Sequence, residues 1–231
     1  MTMRATQGVS FPRSGHAAIY HIARLYFGEA LVYCDVNNTS HTHCGCECVP
    51  CVNSDRTFAK NHDFALLGPR GPGRKVYRSS PVLPAERYFI QYRSPVPAIA
   101  SNYQLYKRSR QFRNRRALWQ KFALKQVTYW NRFVDKWVLN FPVTARRPLY
   151  CSYEALVADP PKYVRQFLIF LSDNPLDEER LTAVMQRVPI APRNSLSEFE
   201  FYDPVFFKEI ENMVSHRLEK LGLPVFEEMY S

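Results

Sequence analysis

The chain has 231 residues, 46% of them hydrophobic, and a net charge of +10. This length and composition suit one large globular domain, and no apolar run approaches the ~18 residues that a membrane helix needs. Residues 1–6 carry neither the apolar core nor the cleavage signal of an export sequence. We therefore expect a cytoplasmic protein without membrane insertion, and a Golgi or secreted location only for a chain trimmed from a longer precursor. The positive charge indicates an anionic partner.

Short apolar runs alternate with amphipathic stretches along most of the chain. Strands are predicted at residues 7–11, 31–33, 56–60, 87–92 and 148–153. Helices are predicted at residues 16–27, 161–172, 176–187 and 204–221. A further helix is predicted to start near residue 95, and another, after a basic segment, to end at about residue 139. Because strands and helices alternate, we expect one α/β domain over residues 1–231, in three layers, with a central parallel sheet flanked by helices. Ligands of such sheets bind beyond the carboxyl ends of the strands.

Residues 34–56 form a polar insertion that is rich in cysteine and histidine. Five of the six cysteines fall between Cys34 and Cys51, and His41 and His43 lie among them. A disulfide framework for a whole fold would spread the cysteines more widely. A structural zinc site, disulfides in an oxidising compartment and reduced thiols are the three alternatives for this insertion.

A tight turn follows the first predicted strand. Its residues are Phe11-Pro12-Arg13-Ser14-Gly15-His16. Such a turn directs backbone N–H groups and the positive end of a helix at one point, which suits a phosphate. Arg13 adds a fixed charge and fork-shaped donors. The Gly-Lys-Ser/Thr of a Walker A loop is absent, which argues against a nucleotide kinase.

A second candidate anion site follows the strand at 87–92. Arg93 leaves the end of that strand, and Ser101 lies eight residues further along the next helix, so one helix face can direct both at a single anion. Two more segments stand out. They are Lys60-Asn61-His62-Asp63, and Tyr153-Glu154-Ala155-Leu156 with Asp159-Pro160.

Together, these four segments resemble the sulfotransferase family that uses 3′-phosphoadenosine 5′-phosphosulfate (PAPS), and they occur in the family's order. The resemblance covers residues 8 to about 172 and implies a P-loop NTPase-like sulfotransferase fold. It implies transfer of a sulfuryl group to an acceptor hydroxyl, on a small molecule or a glycan, with adenosine 3′,5′-bisphosphate (PAP) as the product. It also implies catalysis without a metal and no nucleic-acid partner.

The resemblance assigns the donor-binding residues. Backbone N–H groups of the first turn and the Arg13 side chain would bind the 5′-phosphosulfate. The residues of this turn are Arg13, Ser14, Gly15, His16 and Ala17. Arg93 and Ser101 would hold the 3′-phosphate, which distinguishes PAPS from ATP.

The resemblance also assigns the catalytic residues. His62 would take the acceptor proton as a general base, and Lys60 and Arg13 would offset the charge that develops on the leaving phosphate. Asp63 is expected to orient the loop. The Tyr153 segment is a structural signature of the family.

This chain departs from the family pattern in three places. Many members have Lys at the position of Arg13, and two hydroxyl residues where His16 and Ala17 stand. The family's Arg-Lys-Gly segment for the 3′-phosphate is missing. His16 is a candidate replacement for the hydroxyl contact, and Arg193 for the missing segment. These departures favour a bacterial or carbohydrate-type member.

A rival interpretation comes from the basic segment between Lys107 and Lys125, where Phe112, Trp119 and Phe122 are interleaved with the charges. Such a run is commonly a solvated helix face, but it also suits an anionic acceptor or nucleic acid. A nucleic-acid-binding protein without catalysis is therefore the alternative function.

Overall fold

A computed structural model describes residues 3–35, 51, 53–63, 82, 87–108, 115–142, 148–172, 174–188, 190 and 196–225. Within these residues, five parallel strands form one sheet in the order β2-β3-β1-β4-β5. The strands are Thr6–Ser10 (β1), Tyr33–Asp35 (β2), Phe58–Asn61 (β3), Arg87–Tyr92 (β4) and Leu149–Ser152 (β5). Since β1 lies between β3 and β4, the turns that follow these three strands emerge side by side at one edge of the sheet.

Helices cover both faces of the sheet. They are His16–Phe27 (α1), Pro95–Arg108 (α2), Arg116–Val134 (α3), Tyr153–Ala158 (α4), Pro160–Ser172 (α5), Glu178–Arg187 (α6), Pro204–Asn212 (α7) and Ser215–Leu221 (α8). A π-helical turn, Asp135–Leu139, extends α3. Short 3₁₀ turns lie at Gly28–Ala30 and Leu196–Glu198.

The alternation of side chains along β4 creates two hydrophobic cores. Tyr88 and Ile90 face the core that contains α2, α3, α7 and α8, whereas Phe89 faces the core of α1, α4, α5 and α6. Successive strand residues point to opposite faces, so one strand can serve both layers. The three-layer α/β fold with a central parallel sheet is confirmed.

Several predicted boundaries are corrected by the structure. The second and third strands begin two residues later than predicted, at Tyr33 and Phe58. The helix predicted over 204–221 is two helices, because the chain turns at Met213 and Val214 and a new helix starts at Ser215. The basic segment is mostly helical: α2 reaches Arg108, and α3 starts at Arg116.

The cysteine-rich insertion falls largely on residues 36–50 and 52, which lie outside the described residues. At its two ends, Cys34 is buried in β2 and the backbone carbonyl of Cys51 accepts a hydrogen bond from the Gln7 side chain at 3.1 Å. Zinc, disulfides and reduced thiols all remain predictions for this insertion. In the described part of the chain, no helix is both long and apolar enough to span a membrane.

Candidate active site

The turn between β1 and α1 has a left-handed backbone at two positions. Arg13 has φ 69° and Gly15 has φ 90°; the first is rare for a residue with a Cβ, and such strain is concentrated at functional sites. The Ser14 N–H donates to the Phe11 carbonyl at 3.3 Å, so it closes the turn. The first N–H groups of α1, on His16 and Ala17, have no intrahelical acceptor and form the positive end of the helix.

The turn after β4 lies against the first turn. Arg93 is 8% exposed, and its Nη1 donates to the Arg13 carbonyl at 3.3 Å. The Arg13 Nε in turn donates to the Ser101 Oγ on α2 at 2.9 Å. Trp130 of α3 fixes the Arg93 backbone by donating its indole N–H to the Arg93 carbonyl at 2.8 Å. Arg13, Arg93 and Ser101, which are up to 88 residues apart in sequence, therefore meet at one place.

Between them, Tyr153 and Glu154 contact both turns. The Arg93 guanidinium carbon lies 4.0 Å from the centre of the Tyr153 ring, a cation–π distance. A Cβ on Gly15 would lie 3.0 Å from Cδ2 of the same ring. The Glu154 carboxylate accepts the Ser94 N–H at 2.9 Å. The sequence identified this segment as a structural signature, but no sequence motif indicates that it contacts both turns.

Lys60 is the penultimate residue of β3 and pairs with Asp35, the last residue of β2. The Nζ–Oδ2 distance is 3.1 Å, and the two side chains are only 16% and 12% exposed. The strand register places these residues opposite each other. Asp35 was missed by sequence reasoning, although a buried lysine needs a carboxylate partner. Lys60 also lies close enough to His16 and His62 for its charge to lower the pKa of both histidines.

His62 follows β3 and is fixed by the end of β1. Its Nδ1 lies 2.6 Å from the Ser10 carbonyl oxygen and 3.2 Å from the Ser10 Oγ. Because a carbonyl only accepts, Nδ1 carries the proton and Nε2 is left as the acceptor nitrogen. Burial, followed by the charge of Lys60, lowers the pKa of His62 to about 3, against the opposing effect of the Ser10 hydrogen bond. His62 is therefore neutral at pH 7, the form that can take a proton.

Asp63 is turned away from solvent and is 1% exposed. Its Oδ2 accepts from the Trp137 indole N–H at 2.8 Å and from the Lys136 Nζ at 2.5 Å. Both donors belong to the π-helical turn after α3. These contacts fit a role in orienting the loop, because they attach it to α3.

The His16 side chain packs in the interior. Its ring stacks on Phe58, with centroids 5.4 Å apart and planes inclined by 9°, and the residue is 5% exposed. Its pKa is lowered well below the usual value by burial first and then by the charge of Lys60. Both ring nitrogens are buried. At the turn, His16 thus offers its backbone N–H, and its ring does not supply the hydroxyl-like contact expected from the sequence.

Arg193, the other candidate for the 3′-phosphate, lies outside the described residues. On α3, Lys121 and Lys125 are exposed while Trp119 and Phe122 are buried in the core. In this part of the basic segment, the lysines therefore lie on a solvated helix face, and the aromatic side chains pack into the core.

The chain matches no protein-family model, and a search of curated proteins finds no match. The fold and the site together define an α/β protein with an all-parallel sheet. At the carboxyl edge of that sheet lie two arginine-bearing turns, a lysine and a neutral histidine.

Proposed function

We propose that this chain is a PAPS-dependent sulfotransferase with a P-loop-like fold. It would transfer a sulfuryl group to the hydroxyl of a small molecule or a glycan. The observation that carries the proposal is the convergence of the two turns, in which Arg93 donates to the Arg13 carbonyl at 3.3 Å. A nucleotide with phosphates at both its 3′ and 5′ ends needs two such anion sites close together.

The first turn suits the 5′-phosphosulfate. The N–H groups of Gly15, His16 and Ala17 lie at the positive end of α1, where an anion is favoured. The Ser14 N–H is already bonded to Phe11, so it is not among the donors. Arg13 would release its hydrogen bond to Ser101 and donate to the 5′-phosphosulfate of PAPS instead. The Ser101 hydroxyl could then bind the 3′-phosphate beside Arg93.

His62 suits the proton transfer. The acceptor oxygen would form its bond to sulfur while its proton passes to Nε2 of His62. The bond between sulfur and the bridging oxygen would break, with the electron pair going to the 5′-phosphate of PAP. The negative donor would raise the pKa of His62 from its low value toward neutrality, since nearby negative charge favours the imidazolium form.

Lys60 and Arg13 suit stabilisation of the leaving phosphate, because fixed cations stabilise charge that develops in the transition state. The proposal requires no metal, since a sulfuryl group carries less negative charge than a phosphoryl group. A cytoplasmic location and a small-molecule or glycan acceptor belong to the same proposal.

Calorimetry with PAP tests the binding half of the proposal. We expect the intact protein to bind PAP with a Kd of about micromolar order, and Arg93→Ala to lose this binding. Absence of PAP binding by the intact protein would refute the proposal. Binding of a single-stranded oligonucleotide with a steep salt dependence, together with indifference to PAP, would instead support the nucleic-acid alternative.

Turnover of PAPS by His62→Gln tests the proton-transfer half. The variant should bind PAP as the wild type does, because His62 contacts neither turn's donors. Formation of PAP from PAPS, with a panel of phenols, alcohols and sugars as acceptors, should fall by about 100-fold or more. Full activity in this variant would show that His62 is not the base.

A further inference from the structure

The end of α3 changes its hydrogen-bonding pattern next to the proposed base. The N–H of Asn140 donates to the Asp135 carbonyl at 2.9 Å, which closes the wider π-helical turn. Such turns are rare and occur frequently at functional sites. In an α-helix, adjacent side chains diverge by about 100°, and the wider turn reduces this angle. Lys136 and Trp137 are adjacent residues of this turn, and both reach Asp63.

Both side chains converge on one carboxylate oxygen. The Trp137 Nε1 lies 2.8 Å and the Lys136 Nζ 2.5 Å from Oδ2 of Asp63. The Lys136 Nζ also lies 4.5 Å from the centre of the Trp137 ring. A buried carboxylate is costly unless it is paired and hydrogen-bonded, so these donors keep Asp63 inside and fix its position.

The turn itself is held in place from both sides. Arg217 of α8 forms a bidentate pair with Asp135, with both distances 2.7 Å, and such pairs fix geometry as well as charge. On the core side, Trp137 is fully buried and its ring packs 5.4 Å from Tyr88 and 5.8 Å from Phe141. The donors to Asp63 therefore belong to a rigid element.

We propose that this π-helical turn is the positioning device for His62, acting through Asp63. His62 is the residue before Asp63, and its ring nitrogen Nδ1 lies 2.6 Å from the Ser10 carbonyl oxygen. The His62 ring is thus bonded to the end of β1, and the backbone that carries it is anchored through Asp63 to the end of α3. Lys136 and Trp137 are positioning residues, and their role rests on the proposed function.

Trp137→Phe tests this inference, because it keeps an aromatic ring in the core and removes the indole N–H. The matched control is Trp119→Phe, in the same core, where the indole nitrogen is buried with no hydrogen-bond partner among the described residues. Lys136→Met, which keeps the apolar stem and removes the charge, provides a second variant. Each protein is compared by PAP calorimetry, by kcat and KM for PAPS, and by ¹⁵N NMR of the His62 tautomer.

We expect Trp137→Phe and Lys136→Met to bind PAP within about twofold of the wild type and to lose kcat by about tenfold or more, a loss of about 1.4 kcal/mol in transition-state stabilisation. Their NMR spectra should show the wild-type Nδ1–H tautomer mixed with the Nε2–H form. Trp119→Phe should keep the wild-type kcat and tautomer, even where its stability falls as much. Wild-type kcat and tautomer in Trp137→Phe would overturn the inference, and so would an equal loss of kcat in Trp119→Phe.

The NMR measurement separates this inference from the proposed function. A wild type that turns over no PAPS would refute the proposed function, whereas the His62 tautomer can be measured without activity. A single Nδ1–H tautomer in the wild type that becomes mixed in Trp137→Phe supports the positioning device. The same tautomer in both proteins would refute it.

Discussion

Gly15 is constrained both by its backbone angle and by the space around it. It combines φ 90° with a Tyr153 ring atom 3.0 Å from where a Cβ would lie. Gly222 has φ 59° at the end of α8, and no atom of the described residues lies within 4 Å of its Cβ position. The two glycines therefore share a left-handed backbone and differ in crowding.

This pair yields a prediction for alanine substitution. Gly222→Ala should cost about 1–2 kcal/mol of unfolding free energy from the left-handed backbone alone, without any effect on PAP affinity. Gly15→Ala should cost roughly 1–3 kcal/mol more because of the crowding, and it should also weaken PAP binding. Urea unfolding and calorimetry measure both quantities. A Gly15→Ala protein with the stability and PAP affinity of Gly222→Ala would contradict this account of the turn.

At the scale of single residues, the sequence predicted which side chains lie near one another more reliably than the direction in which a side chain points. Arg13, Arg93 and Ser101 were expected together, and they are together, because parallel strands place their carboxyl ends at one edge. The direction of the His16 ring depends on the space that Gly8 leaves, since a Cβ there would lie 2.8 Å from that ring. Such packing is tertiary and has no counterpart in a motif.

Among the elements, the short helix α4 carries the support for both turns. Its N-cap is Ser152, whose Oγ accepts the Ala155 N–H at 3.1 Å. Because Tyr153 and Glu154 are its first residues, the cap sets the position from which they contact the turns. The N-cap of α6 has the same chemistry away from the site: Asp177 accepts the Arg180 N–H at 2.9 Å.

The two caps allow a matched prediction. Ser152→Ala and Asp177→Ala should each lower the unfolding free energy by about 1 kcal/mol, as measured by urea titration. Only Ser152→Ala should also reduce the affinity for PAP, by about threefold to tenfold, since a looser α4 no longer holds the turns. Equal PAP affinities for the two variants would show that α4 does not support the site.

Periodicity predicted most elements but not their interruptions. The strand at 87–92 and the helix at 16–27 have the predicted bounds, because their apolar pattern ends where turn residues begin. The break after α7 at Met213 contains neither Gly nor Pro and leaves the helical pattern intact. The π-helical turn likewise continues the apolar stripe of α3, so hydrophobic spacing alone cannot distinguish it from an α-helix.

For the whole molecule, His16, which is buried, and His62, which is partly buried, connect stability to pH. Burial, and then the charge of Lys60, lowers the pKa of both His16 and His62. The unfolded chain titrates these groups near pH ~6.5, so below that pH it binds more protons than the folded protein. The contribution of neutral histidine is therefore fully present above about pH 6.5 and is lost as the pH falls.

Urea unfolding at about pH 7.5, 6 and 5 checks this sign. The wild type should lose stability on acidification, with each histidine contributing at most about 1.4 kcal/mol per pH unit. His62→Gln should lose stability less steeply, because it lacks one of the two histidines whose pKa folding lowers. A level wild-type stability profile, or an equally steep one for His62→Gln, would contradict the assignment of two neutral histidines with lowered pKa values.

The proposed binding of one nucleotide by the two turns is best tested by comparing PAP with 5′-AMP, which lacks the 3′-phosphate, in calorimetry at one salt concentration. We predict that the wild type binds PAP at least about tenfold more tightly than 5′-AMP, a difference of about 1.4 kcal/mol. Arg93→Lys should lower the affinity for PAP toward that for 5′-AMP, because a lysine cannot reproduce the planar fork. Equal affinities of the wild type for the two nucleotides, or binding of neither, would contradict the account.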